Sequence, residues 1–208
     1  MNPVFDILEE LAGDLVQMSV DFALVGGLAV SVRAVPRFTH DVDVVVRVSG
    51  DRHAEQVIHS LIGRGYQCET VVEQKRAGRL ATCRLKPRRS ADGILTDVIF
   101  ATCGIEPEIT SAATDAALES GVVVPVAQVA DLLAMKLLST AEHRYHDEQD
   151  IIELLRVAEA DDVEQTRSRL RLITARGFHR GRSLLDDLDG RIAKYDWPDG
   201  LKNEEFQG

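Results

Sequence analysis

The eight residues at 41–48 constrain this chain more than any other stretch. Val42, Val44, Val46 and Val48 alternate strictly with Asp41, Asp43, Val45 and Arg47. That is the pattern of a half-buried strand, apolar on one face. Such a face must be covered, so the fold needs a sheet with a second layer packed on it. Two strand residues that are two apart point the same way, so Asp41 and Asp43 share a face. A solvated strand end is one reading of this pair. A third carboxylate makes a second reading possible. Asp97 interrupts an otherwise apolar strand pattern at 94–100. A lone Asp there costs stability unless it is solvated, paired or bound to a metal. If the two strands are neighbours, Asp41, Asp43 and Asp97 converge. Their mutual repulsion is relieved by a divalent cation, and hard oxygen donors favour Mg²⁺ or Mn²⁺. Two such ions, roughly 3.5–4 Å apart, clamp a phosphoryl group during in-line displacement. No Cys/His set with zinc spacing competes.

A Gly-Gly pair, Gly26 and Gly27, follows the short apolar run at 22–25 and precedes a helix pattern at 28–34. Missing side chains let a phosphate approach the backbone, and a helix start offers free N–H groups. A tight turn is the plainer reading. The remaining elements follow from periodicity. Val4, Ile7, Leu8, Leu11 and Leu15 stripe an opening helix, with Asn2 as a cap and Pro3 in its first turn. Ala54, Val57, Ile58, Leu61 and Ile62 stripe a second, ending near Gly63 to Gly65. Strands are expected at 66–72, 79–86 and 94–100, with turns at Gly78 and Asp92-Gly93. A loose stretch then leads to a short edge strand at 122–125. Beyond it lie four helices, marked by Leu132 and Leu137, by Ile151 and Leu155, by Leu170 and Ile173, and by Leu184 and Leu188. The tail after Trp197-Pro198 is polar and expected to fray. The fold class is thus α/β (α+β): a mixed sheet with helices packed on it, followed by a helical bundle. The junction lies between Thr102 and Val126, and the division is placed at 1–125 and 126–208.

Charge is unevenly spread. The 208 residues hold 24 Lys or Arg and 34 Asp or Glu, a net charge of −10. That excludes a protein that coats nucleic acid or anionic membrane through bulk positive charge. Yet seven cations lie between Val71 and Ser90 against Glu73 alone: Lys75, Arg76, Arg79, Arg84, Lys86, Arg88 and Arg89. Two readings stand for them, a ridge that follows RNA phosphates and a solvated hairpin. The start of the chain lacks a basic region followed by an apolar run, and no apolar stretch approaches the roughly 18 residues of a membrane span. A cytoplasmic location without membrane contact is expected. Cys68, Cys83 and Cys103 form no C-x-x-C pair and read as three reduced thiols.

Leu24-Val25-Gly26-Gly27, then Asp41-Val42-Asp43 on a strand and Asp97 on a later one, resembles the nucleotidyltransferase superfamily that shares the DNA polymerase β-like fold. In the second half, Asp131-Leu132-Leu133-Ala134-Met135-Lys136-Leu137, then Arg144, Asp147 and Asp150-Ile151, is similar to the AbiEii/MenT-type toxin branch. The resemblance implies transfer of an NMP from an NTP to an acceptor hydroxyl, with pyrophosphate released. It implies a toxin often encoded beside an antitoxin partner, with tRNA or another RNA as acceptor. Asp41, Asp43 and Asp97 are then the metal ligands for Mg²⁺ or Mn²⁺, in all two ions, with NTP as co-substrate. Asp97 also helps to deprotonate the acceptor. Gly26 and Gly27 line the phosphates, and Arg37 and Thr39 shape that loop. Lys136 has independent support: it lies on the apolar stripe of its helix, where a Lys either snorkels to an edge or reaches into a polar cleft. The cleft reading puts its ammonium at the triphosphate. Asp150 caps the next helix or pairs with Lys136 or Arg144. The helical half completes the nucleotide cleft. Two other outcomes stand beside this: a nucleotidyltransferase for a small molecule such as an aminoglycoside, and a catalytically silent nucleotide-binding module. His143, His146, Asp147 and Asp150 also allow a metal-dependent phosphohydrolase, which needs further His ligands from other helices.

Overall fold

The computed structural model describes residues 3–74, 78–89, 93–118, 121–140 and 145–198. Along the chain come α1 (Pro3–Gln17), β1 (Phe22–Val25), α2 (Gly26–Arg33), β2 (Asp41–Val46), α3 (Asp51–Gly63), β3 (Gln67–Gln74) and β4 (Arg79–Lys86). Then follow β5 (Leu95–Ile99), α4 (Glu106–Ala112), β6 (Thr114–Ala117), β7 (Val123–Val126), α5 (Val129–Ser139), α6 (Tyr145–Val157), α7 (Ala160–Ala175) and α8 (Leu184–Lys194). The strands form one mixed sheet in the order β3-β4-β5-β2-β1-β7-β6. The α/β class and the mixed sheet expected from the sequence are both present.

The amphipathic stripe of α1 explains its place. Val4, Ile7, Leu8, Leu11 and Leu15 are all buried, each contributing on the order of 1.5–3 kcal/mol of apolar burial. The same core cluster includes the valines of β2 and continues through Leu133 and Leu137 of α5, Ile151 and Leu155 of α6, Leu170 of α7 and Leu188 of α8. α5 packs on α6 and α7, and α2 touches both α5 and α6. The helical half therefore shares its apolar core with the sheet. The 125/126 division falls inside β7, and the sheet ends at Val126.

Four local expectations need correction. β2 is not half-buried: Val45, on the carboxylate face, is as buried as Val44 and Val46. β2 is central, so helices and loops cover its C-terminal half on both faces. The strand at 122–125 is not an edge, because β6 pairs antiparallel outside it. β6 reads Thr-Asp-Ala-Ala, which carries no β-branched run and no apolar alternation. The loose stretch before it contains α4, whose seven residues are too few for a helical period to show. Gly26 and Gly27 do not precede α2 but open it. Asn2, Asp92 and the tail from 199 lie outside the described residues, while Gly78 and Gly93 do take left-handed backbone angles, φ +58° and +71°.

Candidate active site

Strand register builds the site. β2 pairs antiparallel with β1, matching Asp43 to Val25. On its other side β2 pairs in parallel with β5, matching Asp43 to Asp97. Asp97 in turn faces Arg84 on β4, and Arg84 faces Thr70 on β3. One row thus crosses five strands: Val25, Asp43, Asp97, Arg84, Thr70. Neighbouring strands lie about 4.8 Å apart, so Asp43 and Asp97 are adjacent. Asp41 sits on the same face at the exposed start of β2. A slip of one residue would turn all of these side chains to the opposite face.

Gly26 closes the row beside Val25. Its φ is +68°, and a Cβ there would fall on the Asp43 carboxylate. Only glycine allows that carboxylate to lie against the start of α2. A Cβ on Gly27 would meet the Arg37 guanidinium and approach Thr39 Oγ1 to 3.2 Å. Arg37 and Thr39 therefore pack on the second glycine and hold the loop.

Burial and charge act together on Asp43. Desolvation, then the Asp97 and Asp41 carboxylates, push its carboxyl up to about 7, against the pull of Lys136 and Arg84. The donors are hard carboxylate oxygens around half-buried negative charge that Arg84 offsets only in part, which fits a divalent cation. Among the described residues, no three His, Cys, Asp or Glu side chains stand close enough to close a metal shell as they are. Arg84 is engaged instead. Its Nε and Nη2 donate to the two Asp97 oxygens at 2.8 and 2.6 Å, and the pairing holds the Arg84 pKa above its ordinary value.

The other wall of the site is helical. Lys136 reaches into the cleft, where its Nζ lies 2.8 Å from Asp147 Oδ1 and 2.7 Å from Asp150 Oδ2. Arg37 Nη2 donates to Asp150 at 2.9 Å. Arg37 Nε lies 2.7 Å from the other oxygen, too poorly aligned to donate, so that contact is purely ionic. Asp150 is 1% exposed and anchors both cations. Of the two roles open for it, pairing with Lys136 is what the geometry contains; Arg144 lies outside the described residues. A cleft of about 240 Å³ separates the walls, lined by Val25, Gly26, Asp43, Ile99, Lys136 and Arg180, among others.

Of the residues singled out by sequence, Gly26, Asp43 and Lys136 line one cleft, Asp97 lies beside Asp43 in register, Asp41 lies two residues before it, Gly27 follows Gly26, and Asp150 pairs with Lys136. Sequence reasoning missed Arg84 as part of the site, although alternation on β4 puts a cation on one face there. It gave Asp147 no part in holding Lys136, although its three-residue spacing from Asp150 puts both on one helix face. Arg180 had no signal beyond its neighbour Gly181. The basic ridge is largely neutralised: Arg79 pairs with Asp51, Arg84 with Asp97, and Arg88 and Arg89 with Glu10. Lys75 and Arg76 lie outside the described residues. The three cysteines are free, with Cys68 and Cys83 sulfurs 3.6 Å apart. Among the described residues, no helix is long and apolar enough to cross a membrane.

A family model described as "Nucleotidyl transferase AbiEii toxin, Type IV TA system" matches residues 11–205. No curated protein matches the chain. An antigenic nucleotidyltransferase-like protein from Paracoccidioides brasiliensis has a similar fold, with TM-score 0.50 and 19% identity over 88% of this chain and 91% of that one. The lincomycin-bound lincosamide antibiotic adenylyltransferase LnuA aligns at TM-score 0.49 and 18% identity, over 74% of this chain and 97% of that one. The antibiotic-resistance factor ANT(2'')-Ia aligns at TM-score 0.46 and 14% identity, over 92% and 94%.

Proposed function

As the chain belongs to the AbiEii nucleotidyltransferase toxin family and is thus a nucleotidyltransferase, we propose that it moves an NMP from an NTP to a hydroxyl of RNA, tRNA foremost, and acts as the toxin of a toxin–antitoxin pair. The observation that carries the chemistry is the row Val25–Asp43–Asp97 beside Gly26, with Lys136 across the cleft. Asp41, Asp43 and Asp97 would hold Mg²⁺ or Mn²⁺. When bound, such ions neutralise the triphosphate and lower the pKa of the attacking hydroxyl.

The chain's own groups do the rest. The glycine at the start of α2 leaves room for phosphate oxygens beside the backbone, and the first N–H groups of that helix lack intrahelical partners. Lys136, held by Asp147 and Asp150, presents positive charge to the leaving phosphates. Asp97 accepts the proton of the acceptor hydroxyl as its oxygen bonds to the α-phosphorus. The bond from that phosphorus to the bridging oxygen breaks, and pyrophosphate leaves with the electron pair. For this, Arg84 must free one Asp97 oxygen.

The test is incubation of the full chain with each labelled NTP, Mg²⁺ or Mn²⁺, and total RNA. Labelled tRNA with released pyrophosphate is expected, and Asp43→Ala should abolish it while the protein stays folded. Near-normal labelling by a folded Asp43→Ala protein would overturn the site. Label that enters only a small molecule of the extract would overturn the RNA acceptor. Growth arrest on expression, relieved by Asp43→Ala, tests the toxin role.

A further inference from the structure

Beyond Asp97 the same sheet face continues over β4 and β3. Thr82 lies two residues from Arg84 and so shares its face. A groove of about 500 Å³ runs there, between these strands and the loop that joins α7 to α8. Val72, Glu73, Gln74 and Thr82 line its strand wall; Phe178 and Arg180 line its loop wall. Thr102 and Arg180 line both this groove and the cleft, which makes the two continuous.

The loop wall is built rigidly. At one end Arg176 donates to both Glu108 oxygens, at 2.9 and 2.7 Å, and to the Gly104 carbonyl. At the other end Arg182 donates to the Leu137 and Thr140 carbonyls at 2.9 and 2.6 Å, where α5 leaves its last acceptors open. Between them the Phe178 ring fills the space a Cβ on Gly104 would need. Arg180 has φ +54°, with Gly177 at +79° and Gly181 at +78°. A left-handed backbone costs a non-glycine residue on the order of 1 kcal/mol and persists where the surroundings impose it. Its effect here is to aim an exposed Arg at the junction of groove and cleft. Among the described residues, Arg180 makes no hydrogen bond or ion pair, whereas Arg79, Arg84 and Arg88 are all paired.

We propose that this groove seats the end of a single-stranded RNA acceptor, with Arg180 on the phosphate behind the terminal nucleoside and that nucleoside packed beside Phe178. The proposal rests on the reading of RNA as acceptor. Its route delivers the terminal hydroxyl along the sheet to Asp97, from the side opposite Gly26. Charge selects the ligand class. A net charge of −10 repels RNA at long range, so an unpaired cation must supply local attraction. The same cation opposes a compact polycationic acceptor. Glu73 on the strand wall repels phosphate, which leaves that end to the base and its N–H donors.

The probe is a fluorescent single-stranded RNA oligonucleotide with a free 3′ hydroxyl, titrated against the full chain, alongside each unlabelled NTP. Arg180→Glu should raise the RNA Kd and the RNA KM about tenfold or more and flatten the salt dependence by about one charge. NTP affinity should fall several-fold less than RNA affinity, because the triphosphate contacts lie on Gly26 and Lys136 while Arg180 stands where groove and cleft meet. Arg180→Lys should keep most RNA binding. If wild type labels RNA and Arg180→Glu binds RNA equally well, this inference falls alone. If Arg180→Glu loses NTP affinity as much as RNA affinity, Arg180 serves the triphosphate and the groove assignment is wrong. If wild type neither binds nor labels any RNA, the acceptor reading falls, and this inference with it.

Discussion

Two groups of carboxylates face each other across the cleft, and they are built on opposite principles. On the helical wall, Asp147 and Asp150 are matched by Lys136 and Arg37 within hydrogen-bonding distance. On the sheet wall, among the described residues, Asp41, Asp43 and Asp97 have one directly bound cation, Arg84, and its guanidinium grips Asp97 alone. Asp43 sits half-buried among like charges, its pKa pushed up to about 7. The paired group can only hold structure in place. The sheet group, paired only at Asp97, keeps electrostatic tension at Asp43 that a divalent cation would relieve, and this is the property the proposed chemistry uses.

That contrast is best broken at Asp43. Asp43→Asn should lower transfer by about a thousandfold or more, while thermal unfolding at pH 8 without divalent ions shows equal or greater stability. A large loss of stability would mean that Asp43 belongs to the architecture after all. The matched group should behave in the reverse way. Asp150→Ala leaves Arg37 without its carboxylate and Lys136 with Asp147 alone, and should cost about 1–3 kcal/mol in urea unfolding.

Acid–base linkage gives a third separation. The folded Asp43 pKa near 7 lies above its unfolded value of 3.8. Between those values the folded chain binds more protons, so this group's contribution to stability falls as pH rises through that window, by at most about 1.4 kcal/mol per pH unit. Urea unfolding in EDTA at pH 4.5, 6 and 7.5 should show this fall in wild type and lose it in Asp43→Asn. Mn²⁺ affinity should rise over the same interval.

Smaller effects sharpen the comparison. Arg84→Met removes a cation that lowers the Asp43 pKa, so the pH midpoint of Mn²⁺ binding should move up. With Arg84 nearly half exposed, its effect on stability should be about 1 kcal/mol or less. Arg79→Ala breaks a solvent-screened pair with Asp51 and should shift unfolding by no more than about 0.5 kcal/mol.

What could be read in advance follows from which interactions leave a period in sequence. The valines of β2, the Leu stripes of α5 to α8 and the two-residue spacing of Asp41 and Asp43 are local patterns, so strands, helices and the carboxylate pair were legible. Asp97 was legible because one Asp interrupts an apolar strand. The adjacency of Asp43 and Asp97 was only a condition, since pairing between positions 54 residues apart has no local trace. β6 and α4 were missed because each is short and depends on its neighbours. Arg84 and Arg180 were hidden for a related reason. A cation's part in a site is set by which carboxylate does or does not meet it in space, and the charge run at 71–90 looked free only because Asp51, Asp97 and Glu10 lie elsewhere in the chain.

The doubly pinned loop has a consequence for the order in which the protein is made. A chain emerges from the ribosome N-terminus first, so Asp41, Asp43 and Asp97 are available to fold well before Arg176, Arg180 and Arg182 exist outside. Until residue 182 has emerged, the end of α5 lacks its Arg182 cap and the cleft lacks the wall that Arg180 lines. A nascent or prematurely ended chain carries the three carboxylates on an open sheet, and chains stopped at residue 175 should be inactive in the transfer assay. If the proposed RNA acceptor holds, synthesis itself would delay the moment at which the chain can modify it.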